Sequence, residues 1–355
     1  MDTIVEERPA PTDLAGRWAA LKDAEPKLRI RDAADRLGVS EAELLATGVP
    51  EGRAVRLQAD PGWLVEQAPT FGEVMALTRN DHAVHEKVGR YDNISIGAHA
   101  GLVLNQQIDL RLFLNRWKHA FAVMDPVKDG IRKSLQFFDK SGRAIHKIYL
   151  RPASDEAAFD RLVASCRADD QSGILTVAAP TAPTADRLDG EIDLPGLRTD
   201  WENLQDTHEF HGLLRRHKVG RHQALRLIGD DLAYPVDPSA FRFALEAAAE
   251  TALPIMVFVG NEGCIQIHGG PIVRTAAMGP WFNVLDPGFN LHVREDAIRE
   301  AWVVRKPTVD GTVTSVELYG PGDRAFLTLF GVRKPGKPED GKWRELIDRL
   351  PAKAA

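Results

Sequence analysis

Apolar residues recur at spacings of three and four from Leu28 to Leu45 and again from Trp201 to Ile228, the period of a helix that buries one face. After each stretch the pattern changes to short β-branched or aromatic runs, as in Val74 to Leu77, Leu110 to Leu114, Leu135 to Phe138 and Ile145 to Leu150. These runs are bounded by Gly, Asp and Asn and predict antiparallel strands. Asp139-Lys140-Ser141-Gly142, Gly320-Pro321-Gly322-Asp323 and Gly260-Asn261-Glu262-Gly263 read as their turns. Asp155 to Cys166 reads as a further helix. Strands that cluster instead of alternating one by one with helices indicate an α+β architecture and argue against a doubly wound dinucleotide sheet.

The pattern is doubled. Gly130 to Phe138 aligns with Gly311 to Tyr319, Arg143-Ala144-Ile145 with Arg324-Ala325-Phe326, and Asp109-Leu110-Arg111 with Asn290-Leu291-His292. All share one offset of roughly 180 residues, the signature of an internal repeat. Trp18-Ala19-Ala20-Leu21 and Trp201-Glu202-Asn203-Leu204 extend it at a slightly larger spacing. Between the copies, Ala178-Ala179-Pro180-Thr181-Ala182-Pro183-Thr184-Ala185-Asp186 has the small-residue and proline composition of a linker. The expected organisation is a first copy over 1–177, a linker over 178–196 and a second copy over 197–355.

Composition narrows the class. With 44% hydrophobic and 27% charged residues among 355, the chain reads as a soluble globular protein. A net charge of −6 gives no global field for nucleic acid or an anionic membrane, so the expected partner is small and any anion is met by local Lys and Arg. Two distant cysteines, Cys166 and Cys264, make neither a CxxC motif nor a disulfide scaffold and fit a reducing compartment. Met1 to Arg8 carries acidic residues where a signal peptide needs positive charge, and no apolar run approaches the ~20 residues of a spanning helix. The expectation is a cytoplasmic protein without membrane insertion.

Four of the eleven histidines fall between Thr207 and His222. On a continuous helix His208 and His211 would share a face, with Trp201 two turns earlier. Neutral imidazole ligates iron or zinc, although solvated helix histidines give the same pattern. Glu209 follows His208, but position 212 is glycine, so the HExxH spacing of a metalloprotease fails. A zinc site built from these histidines lacks the usual cysteine or carboxylate spacing. No GxxxxGK[ST], strand-linked GxGxxG or GxSxG is present, which removes the nucleotide and α/β-hydrolase templates.

Thr78 to Lys87, Gln107 to Phe113, Ser134 to Asp139, Phe282 to His292 and Trp302 to Thr308 together resemble the cytoplasmic hemin-degrading or hemin-transport proteins of bacterial haem uptake, the HemS/HmuS/ChuS/PhuS family. The resemblance covers nearly the whole chain. It implies a duplicated α+β unit with two large antiparallel sheets stacked back to back and haem in a cleft between helices and sheet. His208 matches the axial ligand of the iron, and His211 the alternative histidine of some members. A neutral imidazole suits ferric porphyrin and leaves the opposite face open. The copy-one counterpart of His208 falls near Glu25 or Lys27, so only the second copy would ligate iron.

The same resemblance makes Arg111 the distal, catalytic arginine, with Phe113 beside it. Arg221, Lys306 and Arg333 match cations for the haem propionates, and Met256, Phe258 and Phe330 match apolar residues against the ring. An ordinary salt bridge for Arg111 and plain core packing for the apolar three are the competing readings. Relatives place Gln-x-Tyr where this chain has Thr328-Leu329-Phe330, so an amide and a phenol are missing. The implied function is to bind imported haem and degrade it to release iron, given an electron donor. The alternatives are a chaperone that passes haem to a separate haem oxygenase, and a non-haem metal-binding or scaffold protein. The implied partners are haem, the importer and such an oxygenase, for a monomer or homodimer that binds no nucleic acid.

Overall fold

Each helical stretch of the sequence breaks into shorter helices for a local reason. Gly38 takes a left-handed conformation (φ 69°) and ends the helix Ile30–Leu37, a geometry that costs little without a Cβ. Ser40 then opens Glu41–Ala46 with a reciprocal cap: Glu43 N donates to Ser40 Oγ at 3.2 Å, and Ser40 N to Glu43 Oε2 at 2.7 Å. In the second stretch the helices are Leu194–Glu202, Glu209–His217 and Arg221–Leu227. The first of these starts inside the segment expected to be linker. Asp155 caps the helix Glu156–Ser165 by accepting from Ala158 N at 2.8 Å.

The computed structural model describes residues 7–8, 13–98, 100–182, 185–333 and 336–353. Pro183 and Thr184 of the proline-rich stretch and Met1 to Glu6 lie outside the described residues. The chain forms two compact units, one of residues 1–79, 86–182 and 261–266, the other of 80–85, 183–260 and 267–355. Each therefore includes a six-residue segment from the opposite half of the sequence. The main strands belong to two nine-stranded sheets, and with the helices they make the fold α+β.

The first unit orders five strands as Glu73–Arg79, Ala144–Leu150, Gly130–Asp139, Trp117–Val127 and Ala54–Leu57. The second orders Ile255–Gly260, Ala325–Gly331, Val313–Tyr319, Glu300–Lys306 and Ala233–Val236 in the same way. Register makes the duplication explicit. One row of paired residues across the first set is Met75, Tyr149, Ser134, Val123, Ala54. Its equivalent in the second is Met256, Phe330, Ser315, Val304, Ala233. Because strand side chains alternate with period two, each row marks one sheet face.

In the second unit the opposite face carries Val257, Val303, Val316 and Leu329, fully buried against the helix Ala240–Thr251 and Trp343. The row-bearing face packs Trp302, Val304 and Tyr319 against Trp201, Phe210, Leu213 and Leu225 of the helices. At about 1.5–3 kcal/mol per large side chain buried, these two clusters hold the helices to the sheet. In the first unit Ala42, Leu45 and Ala46 pack likewise on Phe121, Val123 and Phe138. Asn261 Nδ2 completes this unit by donating to the carbonyls of Arg79 (2.9 Å) and Ile145 (2.8 Å). Trp117 Nε1 donates to Gly263 O at 2.8 Å, and Gln266 Nε2 to Ala76 O at 2.9 Å.

Candidate functional site

The structure sorts the four clustered histidines. His217 Nε2 lies 2.9 Å from Asp200 Oδ2, and the buried His222 places Nε2 2.9 Å from Glu300 Oε2 between the rings of Trp302 and Tyr319. Both have structural partners. His208 and His211 are exposed. Among the described residues no group of three or more His, Cys, Asp and Glu is placed to hold a metal ion.

The expectation of one continuous helix through Trp201, His208 and His211 is corrected. Asn203 ends one helix, and His208 is the residue before Glu209–His217. The Glu209 carboxylate turns back on the loop, accepting from the amides of Gln205 (2.9 Å) and Asp206 (3.4 Å). Trp201 is fully buried, edge-on to Phe210 at 4.5 Å, so it is a core residue. Asp206 Oδ1 accepts from His208 N (2.8 Å) and contacts His208 Nδ1 (2.5 Å). The His208 amide, burial acting the other way, and the imidazole together hold the Asp206 carboxyl below its usual range. The His208 side chain is 83% exposed, with Nδ1 toward Asp206 and Nε2 left on the solvent side. For His211, one turn on, partial burial and the charges of Arg215 and Arg221 keep the imidazole below its ordinary pKa.

Met256 and Phe258 alternate with the fully buried Ile255, Val257 and Val259. Met256 pairs with Phe330, and the rings of Phe258 and Phe330 lie 5.0 Å apart at 62°. These three half-buried side chains form an apolar shelf on the row-bearing face, outside the cluster that packs against the helices. Thr328 pairs with Phe258. Gly331 is required next: a Cβ there would sit 2.7 Å from Trp343 Cγ. Two residues on, Arg333 donates to Thr207 Oγ1 at 3.3 Å and lies 3.9 Å from Asp310, beside the His208 loop.

Sequence reasoning missed the residue that organises the other cations. Glu317 has no exposed surface, and both its oxygens are saturated. Arg221 grips it with two bonds (2.6 and 2.7 Å), Lys306 donates at 3.1 Å, Tyr319 at 3.0 Å and Ser315 at 3.2 Å. Burial alone would raise the Glu317 carboxyl, but Arg221 and Lys306 overcome it and hold it far below the ordinary value. Burial drops Lys306 to about 8 against the pull of Glu317, whereas the Arg221 guanidinium is raised. Two cations against one carboxylate leave the cluster positive, stacked on the Phe210 ring at 5.2 Å (Arg221) and 4.6 Å (Lys306). Lys306 is buried rather than free, and the Arg221 side chain is about a third exposed.

Arg111 and Phe113 belong to the first unit. Arg111 stands half-buried between Leu110 and Leu112, both fully buried, and is paired with Asp109. Burial raises the Asp109 carboxyl despite that pairing. Phe113 lies just past the strand Asp109–Leu112, its amide bonded to Gly263 O at 2.9 Å.

The family model of the haemin-degrading HemS.ChuX domain matches residues 38–166 and again 218–350. The chain belongs to this haemin-degrading HemS family. It is similar to the hemin transport proteins HmuS of Yersinia pestis and HemS of Yersinia enterocolitica, each 41% identical over 339 residues, 94% of this chain and 96% of the relative. It is similar in structure to holo-PhuS, a heme-binding protein from Pseudomonas aeruginosa, with 46% identity and a TM-score of 0.93 over 97% of this chain and 100% of that one. The Escherichia coli O157:H7 heme degrading enzyme ChuS superposes with a TM-score of 0.87 at 38% identity, over 96% and 99% of the two chains. Both domain matches fall on the repeat read from the sequence. No helix among the described residues is long and apolar enough to cross a membrane.

Within this HemS-family chain the copies are not chemically equivalent. None of the residues Glu25 to Arg29, which precede Ile30–Leu37 as His208 precedes Glu209–His217, is a histidine. Glu41 opens the next helix where the second copy has Arg221, and it pairs with Lys147. Gln136 occupies the register of Glu317.

Proposed function

We propose that this chain binds haem as its substrate through His208 Nε2, and that it cleaves the macrocycle to release iron when supplied with an electron donor and oxygen. The observation that carries the reading is the His208 imidazole, solvent-facing with Nδ1 tied to a carboxylate, as metal-ligating histidines have their other ring nitrogen held. The residues present fit the group. The Met256, Phe258 and Phe330 shelf offers apolar surface to a flat ring, and Arg333 and the positive Arg221–Glu317–Lys306 cluster offer charge to its carboxylates. Bound haem would supply the redox chemistry; the chain's residues would hold and orient it. Arg111, carried by its motif and by a side chain about a third exposed beside Asp109, is proposed to donate hydrogen bonds during turnover. Degradation is favoured over transport alone because a relative of 38% identity over nearly full length is itself described as a heme degrading enzyme. We place this activity in the cytoplasm, downstream of haem import.

The test is an absorbance time course of the ferric complex with ascorbate under air and catalase, alongside a chelator assay for iron. Loss of the Soret band with stoichiometric chelatable iron is the expected result. A stable complex that surrenders haem to an added haem oxygenase would replace degradation by delivery. His208→Ala should shift and weaken the Soret band; an unchanged spectrum would remove His208 as ligand and make His211 the next to test.

A further inference from the structure

We propose that Asp206 is a positioning residue for the axial imidazole, fixing the tautomer that turns the Nε2 lone pair outward and making that nitrogen a stronger donor to ferric iron. The proposal rests on the reading of His208 as the haem ligand. Asp206 Oδ1 meets His208 twice, at the backbone amide (2.8 Å) and at the ring Nδ1 (2.5 Å). Two bonds from one residue to one oxygen fix both the position of the backbone and the rotation of the ring. The loop beneath is held independently: Glu209 accepts from the Gln205 and Asp206 amides, Val309 N donates to Gln205 O at 3.2 Å, and Arg333 bonds Thr207. Ring rotation is the freedom otherwise left to a side chain so exposed, and Asp206 removes it. Ordering is then complete before the ligand arrives and adds no cost at binding.

A carboxylate on Nδ1–H also raises the basicity of the distant nitrogen. His211 lacks this arrangement: among the described residues no carboxylate bonds its ring, and the charged groups acting on it, besides partial burial, are the guanidiniums of Arg215 and Arg221. Two histidines one turn apart are thereby made unequal: of the two, His208 has its ring held through Nδ1 by a carboxylate.

The first arm uses ligand-free protein. Nitrogen-resolved NMR of the His208 ring should show the Nδ1–H tautomer in the wild type, and Asp206→Ala should shift it toward the Nε2–H form that free imidazole side chains prefer. The second arm uses hemin. Asp206→Ala should weaken ferric haem binding about 10- to 100-fold and raise the ferric/ferrous midpoint potential, with Asp206→Asn, which keeps an acceptor oxygen, in between. Asp206 is exposed, so both variants should fold, with a thermal midpoint lowered by no more than the loss of its bonds to His208. An unaltered tautomer, or affinity and potential both unchanged, would overturn the proposal. If His208→Ala leaves the haem spectrum untouched, the axial reading itself falls and takes this proposal with it; if that variant loses the spectrum and Asp206→Ala does not alter affinity or potential, only the positioning role falls.

Discussion

Glu317 keeps its charge without any exposed surface because Arg221, Lys306, Tyr319 and Ser315 all donate to it. Removing one member of such a set strands the others, so Glu317→Ala should destabilise the fold by about 3–5 kcal/mol, read as a lower urea midpoint. His146 makes a pH prediction. Tyr91 Oη lies 2.6 Å from its Nε2 and Thr78 Oγ1 2.8 Å from its Nδ1, and burial pushes the imidazole down to about 3 from an ordinary 6.5. Between those values the unfolded chain binds a proton that the folded chain refuses. The stability this group contributes is therefore complete above pH 6.5 and falls as pH drops toward 3, by about 1.4 kcal/mol per unit. Urea midpoints across that range should show the slope, and His146→Gln should flatten it. At this scale the motifs single out His208, Arg221, Lys306 and Arg333, whose haem roles are proposals, but not Glu317, which bonds two of them. An acid in a strand reads as surface; only the repeat alignment, which sets Glu317 against Gln136, marks it as a charge gained by one copy.

Among the elements, the strand cores were legible but not always their ends: Ile145 to Leu150 nearly fills Ala144–Leu150, Leu135 to Phe138 lies within the longer Gly130–Asp139, and Leu110 to Leu114 overruns Asp109–Leu112. The helices were legible in extent but not in their breaks. Periodicity survives across Gly38 and across residues 203–208, since the flanking helices bury residues on the same core, while the interruptions depend on the Ser40 cap and on the loop bonds of Asp206 and Glu209. Close packing between elements gives a second stability prediction. Gly331→Ala should cost about 1–3 kcal/mol, because Trp343 meets the new Cβ, and it should disturb Arg333 two residues on. A lowered thermal midpoint together with weakened hemin binding is expected; a variant indistinguishable from wild type in both would show that Trp343 moves aside freely.

For the whole molecule, duplication of the fold without duplication of the chemistry predicts a stoichiometry. No histidine lies between Glu25 and Arg29, ahead of the first copy's Ile30–Leu37, and the first copy opens its next helix with Glu41 where the second has Arg221. Hemin titration should end at one equivalent per chain, and a second equivalent with histidine-type absorption that survives His208→Ala would contradict this. The duplication was legible from aligned glycines and tryptophans; the crossing of segments was not, since pairing partners leave no periodic signal. That crossing has a meaning in time. When a ribosome finishes the first copy, residues 261–266 are still roughly 80 codons away, on the order of ten seconds at ordinary elongation rates. Through that interval the Trp117 indole N–H and the carbonyls of Ala76, Arg79 and Ile145 wait for acceptors and donors not yet synthesised. Asn80, made early, waits longer still for the carbonyls of Gly260 and Phe326. The nascent first half is thus exposed to chaperones and proteases until translation is three-quarters complete, and neither copy could have been lost from the gene without leaving the other short of its partners.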